Sequence, residues 1–429
     1  MTDHRGPSAL AAAGDHVCLL SNLYPPETIG GAEMYVRTVA EGLAERGVEV
    51  SVITTASRED ARSGDGPFVE HQAGVRVHRF VPLNLYTPYS YRDQSAWKKP
   101  LMHLLDLWNH QARSTVDSIL EDIDPDVIHL NNFGGLSPAV ISAASTHAPL
   151  VLTLHDYRLL HIDPGMFVGG EPRPLPRLMG PFRAYNRRVV QPYVDRVLAP
   201  SKFMLDRHAR AGFFEETPTD VLRLGVPQAD RGPQSQAAGP PRLLYVGQLA
   251  DHKGVDTLIG AVSRLETDLR LDIVGRGEVR EQLEAQARGD DRITFHGFVS
   301  EQSLDAFYRQ ATLSVVPSRY PDNSPMVIYE SFARGTPVIG TEMGGIPELI
   351  ATPTDEAPAR GAIVPPEDPA KLARAIRSVQ QQSDEYAEAA YAAAEQYTLR
   401  DHLDGLTAEY EALREPSGAD TRESVGARR

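Results

Sequence analysis

RYPDNSPMVIYESFARGTPVIGTEMGGIPEL, residues 319–349, runs through a loop, a helix, a strand and a second loop. Pro325 is read as the first helical residue, because its fixed φ and missing amide suit that position, with Asn323 or Ser324 as the cap. The free amides of the first turn, around Ser324 to Met326, then face a cleft at the carboxyl end of a strand, where phosphate or sugar oxygens are attracted. Asp322 precedes the helix and Glu330 lies one to two turns inside it, so two carboxylates flank one ligand and suit ribose or hexose hydroxyls. After the next apolar run, Gly344 and Gly345 offer amides with no side chain in the way.

The same strand, loop and helix succession repeats on both sides of this stretch. Upstream the expected strands are 243–247, 271–275, 293–297 and 313–317, and 338–340 follows the helix. Nearer the start come 17–20, a helix over 32–46 with Gly47 at its left-handed cap, and 48–54, which together form a βαβ opening. Further apolar runs lie at 126–130, 150–154 and 196–199. This alternation predicts an α/β fold of two Rossmann-like, doubly wound parallel-sheet domains facing a cleft. The expected boundaries are residues 1–225 for the first domain, 226–241 for a Pro-, Gly- and Gln-rich linker, and 242–396 for the second. A last helix over 397–416 is expected to pack back on the first domain, and 417–429 to be disordered.

Composition sets outer limits. A chain of 429 residues suits two cores, and a net charge of -15 argues against a general nucleic-acid binder, which needs a dense cationic surface. Cys18 is the only cysteine, so no disulfide framework exists within one chain, which fits a reducing compartment. No stretch approaches the roughly 18 apolar residues of a membrane span. The expected location is therefore cytoplasmic, with peripheral contact at the inner membrane surface as an extension.

The stretch from Asp322 to Glu330 resembles the E-x7-E signature of the family 4 glycosyltransferases, retaining enzymes with the glycosyltransferase B fold. Asp322 stands where the family has its first Glu. The resemblance implies that Glu330 binds the nucleotide ribose and Asp322 the hydroxyls of the donor sugar. Leu244 to Gly254 is similar to the loop in which an Arg and a Lys meet the diphosphate; Lys253 matches the Lys, and Gln248 takes the place of the Arg. The loop beginning at Gly275 resembles the next nucleotide loop, and Gly30-Gly31 the glycine loop that approaches the donor phosphates from the first domain. His155, after an apolar strand, matches the family's acceptor-side histidine region. The catalytic set so implied is His155, Lys253 and Asp322. Donor binding falls on Gly30, Gly31, Gln248, Lys253, Gly275, Asp322, Asn323, Ser324, Pro325, Met326, Glu330, Gly344 and Gly345. A nucleoside diphosphate sugar is the implied donor, a sugar, lipid-linked or small molecule the acceptor, and a monomer or homodimer the expected state.

Other motifs are negative. The run Gly275-Arg-Gly-Glu-Val-Arg lacks the third glycine of a dinucleotide fingerprint, and no Walker loop occurs. Asp122-Ile-Asp124 and Asp124-Pro-Asp126 imitate a D-x-D metal motif but sit between a helix and a strand as connector carboxylates. With no H-E-x-x-H or paired-cysteine pattern, no metal or other cofactor is expected. One basic stretch departs from the acidic whole: Arg173, Arg177, Arg183, Arg187 and Arg188, interleaved with Phe182 and Tyr185. Its two readings are contact with an anionic acceptor or membrane, through Arg183, Arg187 and Arg188, and an ordinary solvated helix face. Rivals to transfer are a nucleotide-sugar epimerase or hydrolase of the same fold, and a sugar-nucleotide-binding module without catalysis.

Overall fold

The computed structural model describes residues 15–26, 30–57, 66–84, 102, 105–162, 167–168, 171–172, 179–227, 239–350 and 359–414. The N-terminal run, Arg173 and Arg177, most of the expected linker and the expected tail lie outside them.

In the first sheet the strands are β1 (His16–Ser21), β2 (Glu49–Thr55), β3 (Phe68–Gln72), β4 (Val75–Phe80), β5 (Val127–Asn132), β6 (Leu150–Thr153), β7 (Arg196–Ala199) and β8 (Thr219–Val221). Their order is β8-β7-β6-β5-β1-β2-β4-β3, and every pairing is parallel except the β3–β4 hairpin at one edge. The second sheet holds β9 (Arg242–Val246), β10 (Arg270–Val274), β11 (Ile293–Gly297), β12 (Leu313–Val316), β13 (Val338–Thr341) and β14 (Gly361–Val364). It is wholly parallel with order β11-β10-β9-β12-β13-β14, the doubly wound arrangement in which strand order reverses between β9 and β12. Two Rossmann-like sheets are thus present. The central strands are buried on both faces, which is why they read as continuous apolar runs.

Helices cover the sheets. In the first unit these are α1 (Gly31–Glu45), α2 (His110–Ile123), α3 (Ala139–Ala144), α4 (Gly180–Val190) and α5 (Lys202–Ala209). In the second they are α6 (Val255–Val262), α7 (Arg280–Gln286), α8 (Glu301–Gln310), α9 (Met326–Phe332), α10 (Ile346–Ile350), α11 (Pro369–Gln381) and α12 (Ser383–Ala394). Helix α1 buries Val36, Val39, Ala40 and Leu43 on one face and ends before Gly47, whose φ of +87° is the conformation glycine adopts without strain. The last helix, α13 (Leu399–Arg414), returns to the first sheet. Leu403, Leu406 and Tyr410 are buried there, each worth about 1.5–3 kcal/mol of burial, and Arg414 and Glu409 pair with Asp15 and Arg196.

The chain crosses between units at two adjacent points, because Val226 bridges Thr398 in parallel and exchanges backbone bonds with Tyr397 and Leu399. The expected linker therefore starts in a fixed bridge. One apolar cluster is continuous across the two units and joins Val17, Val36 and Val39 to Ile328, Phe332 and Ile346. Among the described residues no helix is long and apolar enough to cross a membrane.

Candidate active site

The site is built where the second sheet reverses its strand order. Beyond β9 the chain makes a short turn, Asp251–Lys253, which ends at Gly254 with φ +68°. A Cβ on Gly254 would lie 2.1 Å from the Pro317 carbonyl oxygen, so only glycine lets this turn pass the end of β12. The amides of Arg319 and Tyr320 both donate to the His252 carbonyl, at 2.9 and 3.2 Å, which ties the two loops together. Lys253 is thereby brought to Asp322: its Nζ donates to both carboxylate oxygens, at 2.7 and 2.9 Å. The pair is partly sheltered, with side-chain exposures of 25% and 13%.

Helix α9 starts one residue later than the sequence suggests. Pro325 is the residue before the helix and no side chain caps it, which corrects the expected Asn323 or Ser324 cap and the placement of Pro325 inside the first turn. The reason is competition. Asn323 is drawn across the cleft, its Nδ2 donating to the Leu154 carbonyl at 2.8 Å and its Oδ1 accepting from the Ser201 hydroxyl at 2.5 Å. The Ser324 hydroxyl lies 2.6 Å from that of Tyr329. Inside α9, Glu330 accepts a hydrogen bond from the Tyr308 hydroxyl at 2.5 Å. Tyr308 comes from α8 and is 1% exposed; burial and the adjacent carboxylate hold its hydroxyl well above the usual range, so it acts as a donor.

The Gly344-Gly345 loop packs backbone against backbone. A Cβ at Gly344 would fall 2.1 Å from the Asp322 carbonyl oxygen, and one at Gly345 would fall 1.9 Å from that of Asn323. The Gly345 amide already donates to the Asp322 carbonyl at 2.7 Å. Its role is thus to hold the Asp322 loop, which corrects the expectation that this amide faces a ligand. Gly275 behaves alike, since a Cβ there would lie 1.8 Å from the Gly247 carbonyl oxygen and the residue has φ +147°. Gln248 sits at the mouth of β9, where its carbonyl accepts from the Tyr245 hydroxyl at 2.7 Å.

From the first unit, Gly30 and Gly31 open α1 directly opposite α9: a Cβ on Gly31 would sit 3.4 Å from Met326 Cγ. Glu33 accepts from the Gly30 amide at 2.7 Å. The loop after β6 is pinned at both ends to the Asp322 loop, because the Tyr157 hydroxyl donates to the Pro321 carbonyl at 2.5 Å while Leu154 receives the Asn323 bond. His155 and Asp156 therefore lie beside Asp322. The His155 ring packs on Tyr35 with centroids 4.9 Å apart and donates through Nε2 to Asn131 Oδ1 at 2.9 Å. Burial, then the neighbouring His402, lowers its pKa to about 3, so the imidazole is neutral near pH 7. Arg187 and Arg188 stand on the outer face of α4, while Asn186 between the helix turns bonds the Leu159 carbonyl.

Two family models cover most of the chain. Residues 30–225 match a glycosyl transferase 4-like domain and residues 240–382 match glycosyl transferases group 1. The D-inositol 3-phosphate glycosyltransferase of Nocardiopsis dassonvillei is 30% identical over 382 residues, covering 83% of both chains. The chain belongs to the family 4 glycosyltransferases. Its fold is shared with sucrose-phosphate synthase from Thermosynechococcus elongatus (TM-score 0.71, 21% identity, 93% and 99% coverage). It is shared also with the Anabaena protein Alr3699/HepE in complex with UDP (TM-score 0.67, 19% identity, 93% and 100% coverage).

Three residues of this glycosyltransferase's cleft escaped the sequence reading. Tyr308 lies among Leu304, Phe307 and Ala311 and so reads as core. Ser201 carries a readable signal, as a Ser just before α5, which it caps at Met204. Glu348 bonds the amides of Lys202 and Phe203 at 2.9 and 2.7 Å and pairs with Arg223 at 2.6 Å, a cap supplied by the other domain and invisible to local pattern.

Proposed function

We propose that this glycosyltransferase moves a hexose-type sugar from a nucleoside diphosphate donor to an acceptor hydroxyl, with retention at the anomeric carbon. The observation that carries the reading is the Lys253–Asp322 pair at the strand-order reversal, with Glu330 on the following helix and the Gly30-Gly31 loop directly across the cleft. In this reading Lys253 leaves Asp322 to neutralise the diphosphate, Asp322 accepts from hydroxyls of the sugar, and Glu330, steadied by Tyr308, accepts from the ribose. Gly30 and Gly31 let backbone approach the phosphates, and Gln248 and Gly275 shape the mouth of the site. His155, uncharged, lines the acceptor side.

The protein's contribution is positioning and electrostatics. The leaving phosphate oxygen takes the acceptor proton on the face where the new bond forms, so no side-chain nucleophile and no metal enters the scheme. The UDP held by the Anabaena protein of the same fold supports a nucleotide donor. The product belongs to polysaccharide, glycolipid or glycoconjugate synthesis. The reading is tested by incubating the enzyme, in chelator, with nucleoside diphosphate hexoses and an acceptor panel, and following anomeric protons by NMR. Transfer with retained configuration is expected, and Glu330→Ala abolishes it while leaving the fold intact. An inverted product refutes retention, and sugar released only to water identifies a hydrolase.

A further inference from the structure

The two domains meet at a pivot and, away from it, at a charged attachment. At the pivot Gly225 lets α13 pass, since a Cβ there would lie 2.6 Å from the Thr398 carbonyl oxygen and 2.6 Å from His402 Cβ. Val226 beside it bridges Thr398. The Arg223 carbonyl is held by α13 as well: it accepts from His402 Nδ1 at 2.6 Å, while His402 Nε2 accepts from the Tyr35 hydroxyl at 3.1 Å. Two bodies joined at a pivot still rotate about it. A second attachment therefore decides the angle at which Gly30 and Gly31 face α9.

Glu348 makes that attachment. It lies on α10, directly after the Gly344-Gly345 loop, and its amide donates to the Gly345 carbonyl at 3.1 Å. Its carboxylate crosses to the first domain, where Oε2 accepts from the Lys202 amide at 2.9 Å and Oε1 from the Phe203 amide at 2.7 Å. Ser201 takes the Met204 amide at 3.2 Å, so the first three amides of α5 are all satisfied, two of them by the other domain. Arg223 Nη2 adds a bond of 2.6 Å to the same carboxylate, and its Nη1 holds the Pro200 carbonyl at 2.9 Å. Every bond to this carboxylate is charge-assisted, and side-chain exposures of 27% for Arg223 and 22% for Glu348 leave the pair partly sheltered from water. The contacts continue to the site: a Cβ on Gly345 would lie 2.8 Å from Ser201 Cβ, and the Gly345 amide donates to the Asp322 carbonyl at 2.7 Å. We propose that Glu348 is a positioning residue for sugar transfer: it clasps α5 and Arg223 to the Gly345 loop, and so sets the angle at which the first domain meets Asp322. The inference rests on the transferase reading above, and in it Glu348 touches neither donor nor acceptor.

The test compares Glu348→Ala, Glu348→Gln and Arg223→Met in the full chain. Hydrogen exchange at the Lys202 and Phe203 amides should rise at least about tenfold in Glu348→Ala, while exchange at Met204, capped by Ser201, changes less than about twofold. Spin labels on Glu121→Cys and Arg288→Cys, both exposed and on different domains, should show a second, longer separation; Cys18 is buried and stays unlabelled. With the nucleoside diphosphate hexose that the wild type turns over, kcat should fall at least about tenfold. Donor KM should change less than about threefold, because Lys253, Asp322 and Glu330 all lie on the second domain. Glu348→Gln keeps the length of the side chain and one acceptor oxygen, and should recover at least about threefold of the lost kcat. Arg223→Met spares both amide bonds and should lose less than Glu348→Ala. Should Glu348→Ala unfold, the other two variants carry the same readings at smaller amplitude. Wild-type kcat in Glu348→Ala, or a loss of kcat at an unchanged separation, overturns the proposal. Faster exchange alone overturns it too, since Glu348 would then be a helix cap and nothing more. If the wild type turns over no nucleotide-sugar while exchange and separation respond to Glu348→Ala, the transferase reading fails and the clasp between the domains stands.

Discussion

Replacing Asp322 by Asn separates binding from catalysis. The Asp322 carboxylate holds Lys253 Nζ through bonds of 2.7 and 2.9 Å, so a diphosphate gains Lys253 only by breaking that pair. Charge-assisted bonds in partly sheltered positions contribute about 1.5–3 kcal/mol, and exposures of 25% and 13% put this pair toward the lower end, at about 1–2 kcal/mol. Asn removes the competing charge and keeps the shape. The bare nucleoside diphosphate should therefore bind about 5- to 30-fold more tightly to Asp322→Asn. The donor sugar loses its carboxylate partner, so turnover falls by about 10- to 100-fold and the preference for nucleotide-sugar over nucleotide narrows. Calorimetry with the nucleotide, and product release with the nucleotide-sugar, read the two effects on one preparation. Weaker or unchanged nucleotide binding would refute the argument that Asp322 and the diphosphate compete for Lys253.

Other consequences follow from single contacts. Tyr308→Phe keeps the ring and removes the hydroxyl at 2.5 Å from Glu330, so nucleotide affinity drops about tenfold with little change in kcat; a change confined to kcat would point to another role. Gly345→Ala drives a Cβ to 1.9 Å from the Asn323 carbonyl oxygen and should cost about 3 kcal/mol, read as a lower urea midpoint, whereas a wild-type midpoint would show that the loop can shift freely. His129 and His402 are held neutral by burial, first of all, at pKa values of about 3 and 4, against 6.5 when unfolded. The unfolded chain binds more protons in that window, so their stability is present above about pH 6.5 and lost as pH falls, about 2 kcal/mol each at pH 5. Equal urea midpoints at pH 7 and pH 5 would contradict this.

Sequence and structure agree best where local pattern and burial coincide. The strands at 196–199 and 293–297 are placed as read, because apolar runs between turn residues have few other uses in a doubly wound sheet. The β3–β4 hairpin was missed although its turn, Ala73-Gly74 with φ of +47° and +81°, sits between alternating residues; its edge position leaves one face polar and weakens the signal. Asp322 and Glu330 were legible as a spaced pair, whereas their partners were not. Lys253 reaches Asp322 from 69 residues away, and Tyr308 reaches Glu330 from a different helix. The misplaced cap at Asn323 has the same origin: a local rule was outbid by contacts to Leu154 and Ser201 of the other domain.

The donor site stands or falls on a calorimetric titration with UDP, GDP, ADP and dTDP in the presence of chelator, repeated on Glu330→Gln. One nucleotide should bind, and the substitution should weaken it about 10- to 100-fold at an unchanged melting temperature, the loss of a charge-assisted bond to the ribose. Binding of none of the four, or equal affinity in Glu330→Gln, would show that the cleft around Lys253, Asp322 and Glu330 does not hold a nucleotide donor.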